Sequence, residues 1–228
     1  MNPLKLIITS DGSHSLFRED LNETYHSHHG AVQESQYVFI KQGLAAWSAA
    51  HPGATVKILE LGLGTALNAL LTRDYAEQHA LSMEYTGVEA YPVPEEIYGA
   101  LNYHQYLPEN AQAQAWLQQL HAHPWDSPLI ALSPHFHFQK LAAKIEDAEL
   151  PAGHFDLVYF DAFAPNKQAE LWEPAVLEQM ATLLAPGGYL TTYCAKGQFK
   201  RDLKAAGFEV QTLPGAPGKA EMVRGVRV

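Results

Sequence analysis

The order of apolar and polar positions divides the chain into alternating extended and helical stretches. Four apolar runs have strand length: VKILEL (56–61), MEYTGV (83–88), FDLVYF (155–160) and YLTTYCA (189–195). Most are rich in β-branched or aromatic residues and bounded by Gly, Pro or a lone charge, which predicts buried strands. Between them, apolar positions recur at helical spacing. TALNALLTRDYAEQH (65–79), EEIYGALNYHQYL (95–107) and NAQAQAWLQQLHAH (110–123) read as helices. So do ELWEPAVLEQMATLLAPGG (170–188), closed by Pro-Gly-Gly, and QFKRDLKAAGF (198–208), stopped by Gly207. FHFQKLAAKI (136–145) fits a strand passing into a helix, and FEVQTLPG and EMVRGVRV form a closing strand pair.

Strands that alternate with helices predict an α/β fold with a parallel, doubly wound sheet. The first fifty or so residues stand apart. LKLIITSDGSHSLFRED suggests two short strands about a turn at Asp11-Gly12. Val32, Tyr37, Ile40, Leu44 and Trp47 then recur at roughly helical spacing until Pro52-Gly53. Two parts are expected: an extension, 1–52, that covers the ligand site, and a sheet domain, 53–228.

Composition narrows the setting. Of 228 residues, 47% are hydrophobic, enough for a core, and 18% are charged, too few for a disordered chain. No apolar run reaches the ~20 residues of a membrane span, and the first residues lack the apolar core of a signal peptide. A single cysteine, Cys194, excludes an internal disulfide, so a cytoplasmic setting is expected. The net charge of −10 is unevenly spread. Residues 196–228 carry seven Lys/Arg and three acids, against eight and 22 in the remainder. Lys196, Lys200, Arg201 and Lys219 are therefore candidate phosphate contacts on an otherwise acidic protein.

The sharpest chemical signals sit where strands end. In ELGLGTALN, Gly62 allows a sharp turn and Gly64 a close backbone approach to a ligand. Ala66 and Leu67 depart from the GxGxxG dinucleotide pattern, which lowers the expectation of a pyrophosphate. Glu60, just before the turn, suits a ligand with a cationic amine or sulfonium. Glu89, 25 residues after Gly64, closes the second strand and can accept hydrogen bonds from ribose hydroxyls. Together Glu60, Gly62, Gly64 and Glu89 describe S-adenosyl-L-methionine better than NAD.

Asp161 ends FDLVYF, the strand expected beside the glycine-turn strand, and ligands of such sheets sit beyond these carboxyl ends. Ala162 and Ala164 leave room for a substrate, and Pro165 stiffens the loop. An Asp at its ordinary value, near 4, is ionised at neutral pH and can hold an amine by a hydrogen bond. Tyr103, Tyr106, Phe163 and Trp172 are candidates to stack on an unpaired base. Paired histidines such as His121/His123 can ligate zinc, but no second ligand cluster accompanies them, and no metal is expected.

DAFAPNKQAELW, ELGLGTALN, YHSHHGAVQESQYVF and LPGAPGKAEMVRG together resemble the methyltransferase domain of the MnmC-type tRNA-modifying enzymes. The resemblance implies a class I S-adenosyl-L-methionine-dependent methyltransferase fold, Rossmann-like. It implies methylation of the primary amine of a 5-aminomethyl-(2-thio)uridine in the tRNA anticodon stem-loop. Asp161 then matches the active-site Asp, and Glu60 to Asn68, including Thr65, the cofactor loop. Glu34 is a candidate to meet the amine of donor or substrate, and Tyr37 and Phe163 to contact substrate. Two-domain members of the family carry an oxidase that unmasks the amine; this chain resembles the stand-alone form, which needs a separate upstream enzyme. FHFQKLAAKI offers no acid for the adenine, whose recognition is left to backbone groups. The rivals are a small-molecule amine methyl- or aminopropyltransferase, which should carry further acids for a polyamine, and a silent RNA- or nucleoside-binding module.

Overall fold

The computed structural model describes residues 4–228. Strands β1 (Leu4–Ile8), β2 (His14–Arg18) and β3 (Glu23–Thr24) form a small antiparallel sheet in the order β1-β2-β3. As the apolar pattern suggests, β1 and β2 pair about Asp11-Gly12, with Ile8 opposite His14. A helical stretch follows as α1 (Ala31–Ser35), a π-helical segment Gln36–Ala45, and α2 (Ala46–Ala50). The wider π spacing turns Tyr37 half out of the core, whereas Val32, Ile40, Leu44 and Trp47 are buried.

The main sheet has the order β10-β11-β9-β8-β4-β5-β7-β6. Its strands are β4 (Val56–Leu61), β5 (Met83–Val88), β6 (Ile130–Ala131), β7 (Phe136–Leu141), β8 (Phe155–Phe160), β9 (Leu184–Thr192), β10 (Phe208–Pro214) and β11 (Glu221–Arg227). The five central strands run parallel; β11 inserts antiparallel between β9 and β10. The connections hold α3 (Leu67–His79), α4 (Glu95–Tyr98), α5 (Ala113–Ala122), α6 (Pro174–Leu183) and α7 (Gly197–Ala205). This is the arrangement of class I methyltransferases.

Alternation along the strands builds a core on each face. Ile58, Leu157 and Tyr159 join Phe39, Leu44, Leu70 and Leu117 on one side. Leu59, Val158 and Phe160 join Leu177, Met180, Phe199 and Leu203 on the other. The helical stretch from residues 31–50 thus supplies much of one layer and packs on α3 and β9.

Three expectations change. The 95–107 stretch keeps only one turn of α-helix, α4, and a 3₁₀ turn at Tyr103–Tyr106. FHFQKLAAKI is strand and then coil, with a 3₁₀ turn at Ile145–Asp147 in place of a helix. Pro-Gly-Gly does not merely end α6; it lies within β9, where pairing jumps from Phe155↔Leu184 to Leu157↔Tyr189. Gly187, at φ 78°, absorbs that bulge. Among the described residues no helix is long and apolar enough to cross a membrane.

Candidate active site

The register places the chemistry. β4 and β8 pair in parallel with Leu61 opposite Phe160, so Gly62 and Asp161 leave the sheet side by side. The Asp161 N–H donates to the Leu61 carbonyl (3.0 Å), and the Gly62 N–H to the Val88 carbonyl (3.0 Å). Three strand ends thereby open one cleft. Gly62, Gly64, Thr65, Asn68, Glu89, Asp161 and Phe163 all line it.

Both loop glycines are needed, Gly62 for the turn the motif suggests and each for a close approach to neighbouring protein. Gly62 has φ 89°, and a Cβ there would lie 2.5 Å from the Asp161 carbonyl oxygen. Gly64 has φ 48°, and its Cβ would meet the Tyr25 ring at 3.1 Å. The close approaches are to the Asp161 backbone and to a ring from the N-terminal segment. Thr65 is buried, accepting a hydrogen bond from the Tyr103 hydroxyl (3.0 Å).

A carboxylate chain runs under the cleft. Glu60 is 1% exposed and does not line it. Its Oε2 accepts from the Tyr85 hydroxyl (2.6 Å) and its Oε1 from Asn68 Nδ2 (2.8 Å). Burial, with the Asp161 charge nearby, pushes Glu60 well up, while those two donors oppose the rise. Glu60 therefore orients Asn68 from beneath the cleft and does not face a ligand. Asn68 Nδ2 also donates to Asp161 Oδ2 (2.8 Å), and Asn68 Oδ1 is buried with no partner among the described residues.

Asp161 is not an ordinary carboxylate. Burial pushes it up to about 7, with the Glu34 charge adding to the rise; the Asn68 hydrogen bond and Lys219 pull the other way. The expectation of full ionisation at neutral pH is thus corrected: the group is poised between its two states.

Glu89 ties the glycine loop to the turn after β5. Its Oε2 accepts from the Gly64 N–H (2.9 Å) and its Oε1 from the Tyr91 N–H (2.8 Å). Burial pushes it up, against these donors and Arg18.

Other residues fall elsewhere. Lys219 pairs with Glu34, and neither lines the cleft. Lys200 pairs with Glu221 (2.6 Å), Arg201 donates to Gln198 (2.7 Å), and Lys196 is exposed with no ion-pair partner among the described residues. Tyr37 sits under Lys41, away from the cleft. Tyr103 and Trp172 are core residues, 0% and 7% exposed, which removes them as stacking platforms; the Trp172 N–H donates to the Phe163 carbonyl. Tyr106 is spent on the Asp11 carbonyl.

The N-terminal segment supplies further lining residues. Arg18 of β2 pairs with Asp20 and lies over the Tyr91 ring (4.9 Å) and Phe163 (6.0 Å). Tyr25 meets Phe163 edge-on at 5.0 Å. His26 lines the cleft with Nδ1 on Ser15 Oγ (3.0 Å), and burial pushes it down to about 4, so it is neutral. Glu146 lies one residue beyond FHFQKLAAKI and also lines the cleft, which corrects the reading that no acid follows that strand. Among the described residues no group of three His, Cys, Asp or Glu could hold a metal ion.

The cleft fits a sulfonium nucleoside with an amino-acid tail. It offers an unpartnered buried acceptor on Asn68 for an ammonium, a glycine-lined turn, and Glu89 at the strand end for ribose hydroxyls.

A family profile described as S-adenosyl-L-methionine-dependent methyltransferase matches residues 109–228, more than half of the chain. The chain is 31% identical over 223 residues to the tRNA 5-methylaminomethyl-2-thiouridine biosynthesis bifunctional protein MnmC of Pseudomonas fluorescens, covering 90% of this chain and 32% of that protein. The MnmC of Cupriavidus necator is 31% identical over 236 residues, covering 97% and 34%. The chain thus spans about a third of the length of these relatives. The crystal structure of MNMC2 from Aquifex aeolicus superposes with a TM-score of 0.73 at 22% identity, covering 99% of this chain and 70% of that one, a likeness of fold.

Proposed function

We propose, from the premise that this chain belongs to the S-adenosyl-L-methionine-dependent methyltransferase family, that it methylates the exocyclic amine of 5-aminomethyl-(2-thio)uridine at the tRNA wobble position. The product is 5-methylaminomethyl-2-thiouridine. The observation that carries this reading is the shared cleft: Asp161 opens into the same space as Gly62, Gly64, Asn68 and Glu89.

S-adenosyl-L-methionine, when bound, supplies a methyl group already activated on a sulfonium. Asn68 Oδ1 would accept from its ammonium, Glu89 from its ribose hydroxyls, and Glu146 is the acid in reach of an adenine amine. Asp161 receives the acceptor amine. That amine arrives protonated, and a carboxylate raised to about 7 is a competent base for it. Asp161 removes the proton and holds the lone pair toward the methyl carbon by a hydrogen bond. Most of the rate then comes from orientation in a closed space. Phe163 and Tyr25 form an aromatic wall against which an unpaired uridine can stack. The described part of residues 1–52 covers the cofactor site, since Arg18, Tyr25 and His26 belong to it. Exposed Lys196 contacts anticodon-loop phosphate, and Lys200 and Arg201 can do so only by leaving their present partners.

The test is transfer of labelled methyl from S-adenosyl-L-methionine to three acceptors: tRNA from cells lacking this modification, polyamines, and buffer. Label should enter the tRNA alone, in a nucleoside that co-elutes with 5-methylaminomethyl-2-thiouridine. Asp161→Ala should lower transfer at least about 100-fold while leaving donor binding within a few-fold. Label in the polyamine arm alone would move the assignment to a small-molecule amine transferase. Wild-type transfer by Asp161→Ala would remove the role given to that residue.

A further inference from the structure

Glu34 and Lys219 come from opposite ends of the chain and meet beside Asp161. Glu34, on α1, is 8% exposed. Its Oε2 accepts the Ser27 N–H (3.0 Å), and its Oε1 pairs with the Lys219 ammonium. Lys219 sits in the turn between β10 and β11, with its Nζ 4.0 Å from the centroid of the Tyr193 ring. The Tyr193 hydroxyl donates to the carbonyl of Ala162 (2.8 Å), the residue after Asp161. The same turn presses on the N-terminal segment a second time: a Cβ on Gly218 would lie 2.3 Å from the His29 ring. Ala216 is buried in the core beneath it.

An exposed ion pair would contribute little. In this one the Glu34 side chain is only 10% exposed, and leaving it alone would strand its charge in a desolvated space. Pairing the two leaves a nearly neutral unit against the Asp161 loop. The other polar groups around Asp161 are Asn68 on α3, Glu60 on β4, Tyr85 on β5, Tyr103 in the 3₁₀ turn and Tyr193 after β9. Burial keeps the three phenols neutral and pushes Glu60 well up. Glu34 and Lys219 are therefore the two opposed charges that bear on Asp161.

We propose that Glu34 and Lys219 act together as a positioning pair for Asp161, docking the N-terminal segment on the C-terminal hairpin turn and balancing the charge around the carboxylate without entering the cleft. In this role Lys219 is not a phosphate contact, and Glu34 does not meet an amine. The pair sets the pH range in which Asp161 is a free carboxylate, and so the range in which an amine can be deprotonated beside the methyl donor.

The role rests on the assignment of Asp161 given above, but its direct test needs no substrate. Carboxyl-labelled protein is titrated by NMR, with Asp161→Asn to identify the signal. Lys219→Met leaves Glu34 unbalanced and should move the Asp161 midpoint up by about one pH unit. Glu34→Gln leaves Lys219 unbalanced and should move it down by a similar amount. The double variant should return it close to wild type, and Lys219→Arg should leave it there. The acid limb of kcat/KM for tRNA methylation should follow the same order. A general loss of packing would not move the two single variants in opposite directions. Shifts in the same direction, or none in either, overturn the proposal. Should Lys219→Met fail to fold, Glu34→Gln and Lys219→Arg decide it: a lowered midpoint in the first and an unmoved one in the second support it, and any other pair of results overturns it. Wild-type protein that methylates no tRNA while titrating as stated would refute the proposed substrate and leave the pair's role standing.

Discussion

Asp161 is held in the fold at a cost that should be measurable without any substrate. Its folded-state value is about 7, against an ordinary 3.8, because burial and Glu34 disfavour the anion. The sign follows from proton linkage: the unfolded chain releases this proton first, so the group's contribution is fully present below about pH 4 and is lost as pH rises to about 7. The difference of about three units corresponds to about 4 kcal/mol at most. Part of the carboxylate faces the cleft, and halving the figure for that contact leaves about 2 kcal/mol. Asp161→Asn keeps an oxygen for Asn68 Nδ2 and removes the titration. Urea unfolding of both proteins should show near-equal stability at pH 4 and a gain for the variant of about 2 kcal/mol at pH 8. The same variant should transfer no methyl group, an active-site group kept for function against stability. A variant that is equally stable at both pH values relative to wild type, or less stable at pH 8, would refute the claim that Asp161 is desolvated.

Three further outcomes follow from the geometry. Gly62→Ala places a Cβ 2.5 Å from the Asp161 carbonyl at φ 89°, and should cost about 2–4 kcal/mol in thermal or urea unfolding; a change under 0.5 kcal/mol would contradict the close approach. Tyr85→Phe removes the 2.6 Å donor to buried Glu60 and should destabilise by about 1–3 kcal/mol, with weaker donor binding by calorimetry because Asn68 loses its anchor. Lys196→Gln should lower tRNA affinity modestly and reduce the slope of log affinity against log salt by about one, measured between 50 and 200 mM salt, while Lys57→Gln, at the end of β4 opposite the glycine turn, leaves it unchanged.

The sheet and its strand ends were legible because they depend on local pattern. FDLVYF is apolar on both faces, so it reads as a central strand, and Asp161 is the abrupt end of that run. Glu89, Gly62 and Gly64 follow by the same logic. What the sequence hid is what arises between distant segments. Glu60 looks like a ligand contact until it is seen buried beneath the cleft, bound to Tyr85 and Asn68. Tyr103 looks like a free aromatic until its burial beside Thr65 is known. Arg18 reaches the cleft from the small sheet and Tyr25 from the bend that follows it, and no spacing relates them to the glycine loop. Glu146 was within reach: it follows Lys144-Ile145, and reading the segment one residue further would have found it. Lys219 reads as a surface cation because its partner, Glu34, lies 185 positions away.

The placement of β11 also bears on how the protein comes into being. Residues 221–227 lie between β9 and β10, which do not touch without them. During synthesis the ribosome delivers this strand after both of its neighbours. Until it arrives, β9 exposes an open edge, and the turn that carries Lys219 is not yet held against Glu34. The edge of β9 is therefore open to pairing with another chain until residues 221–227 have been made.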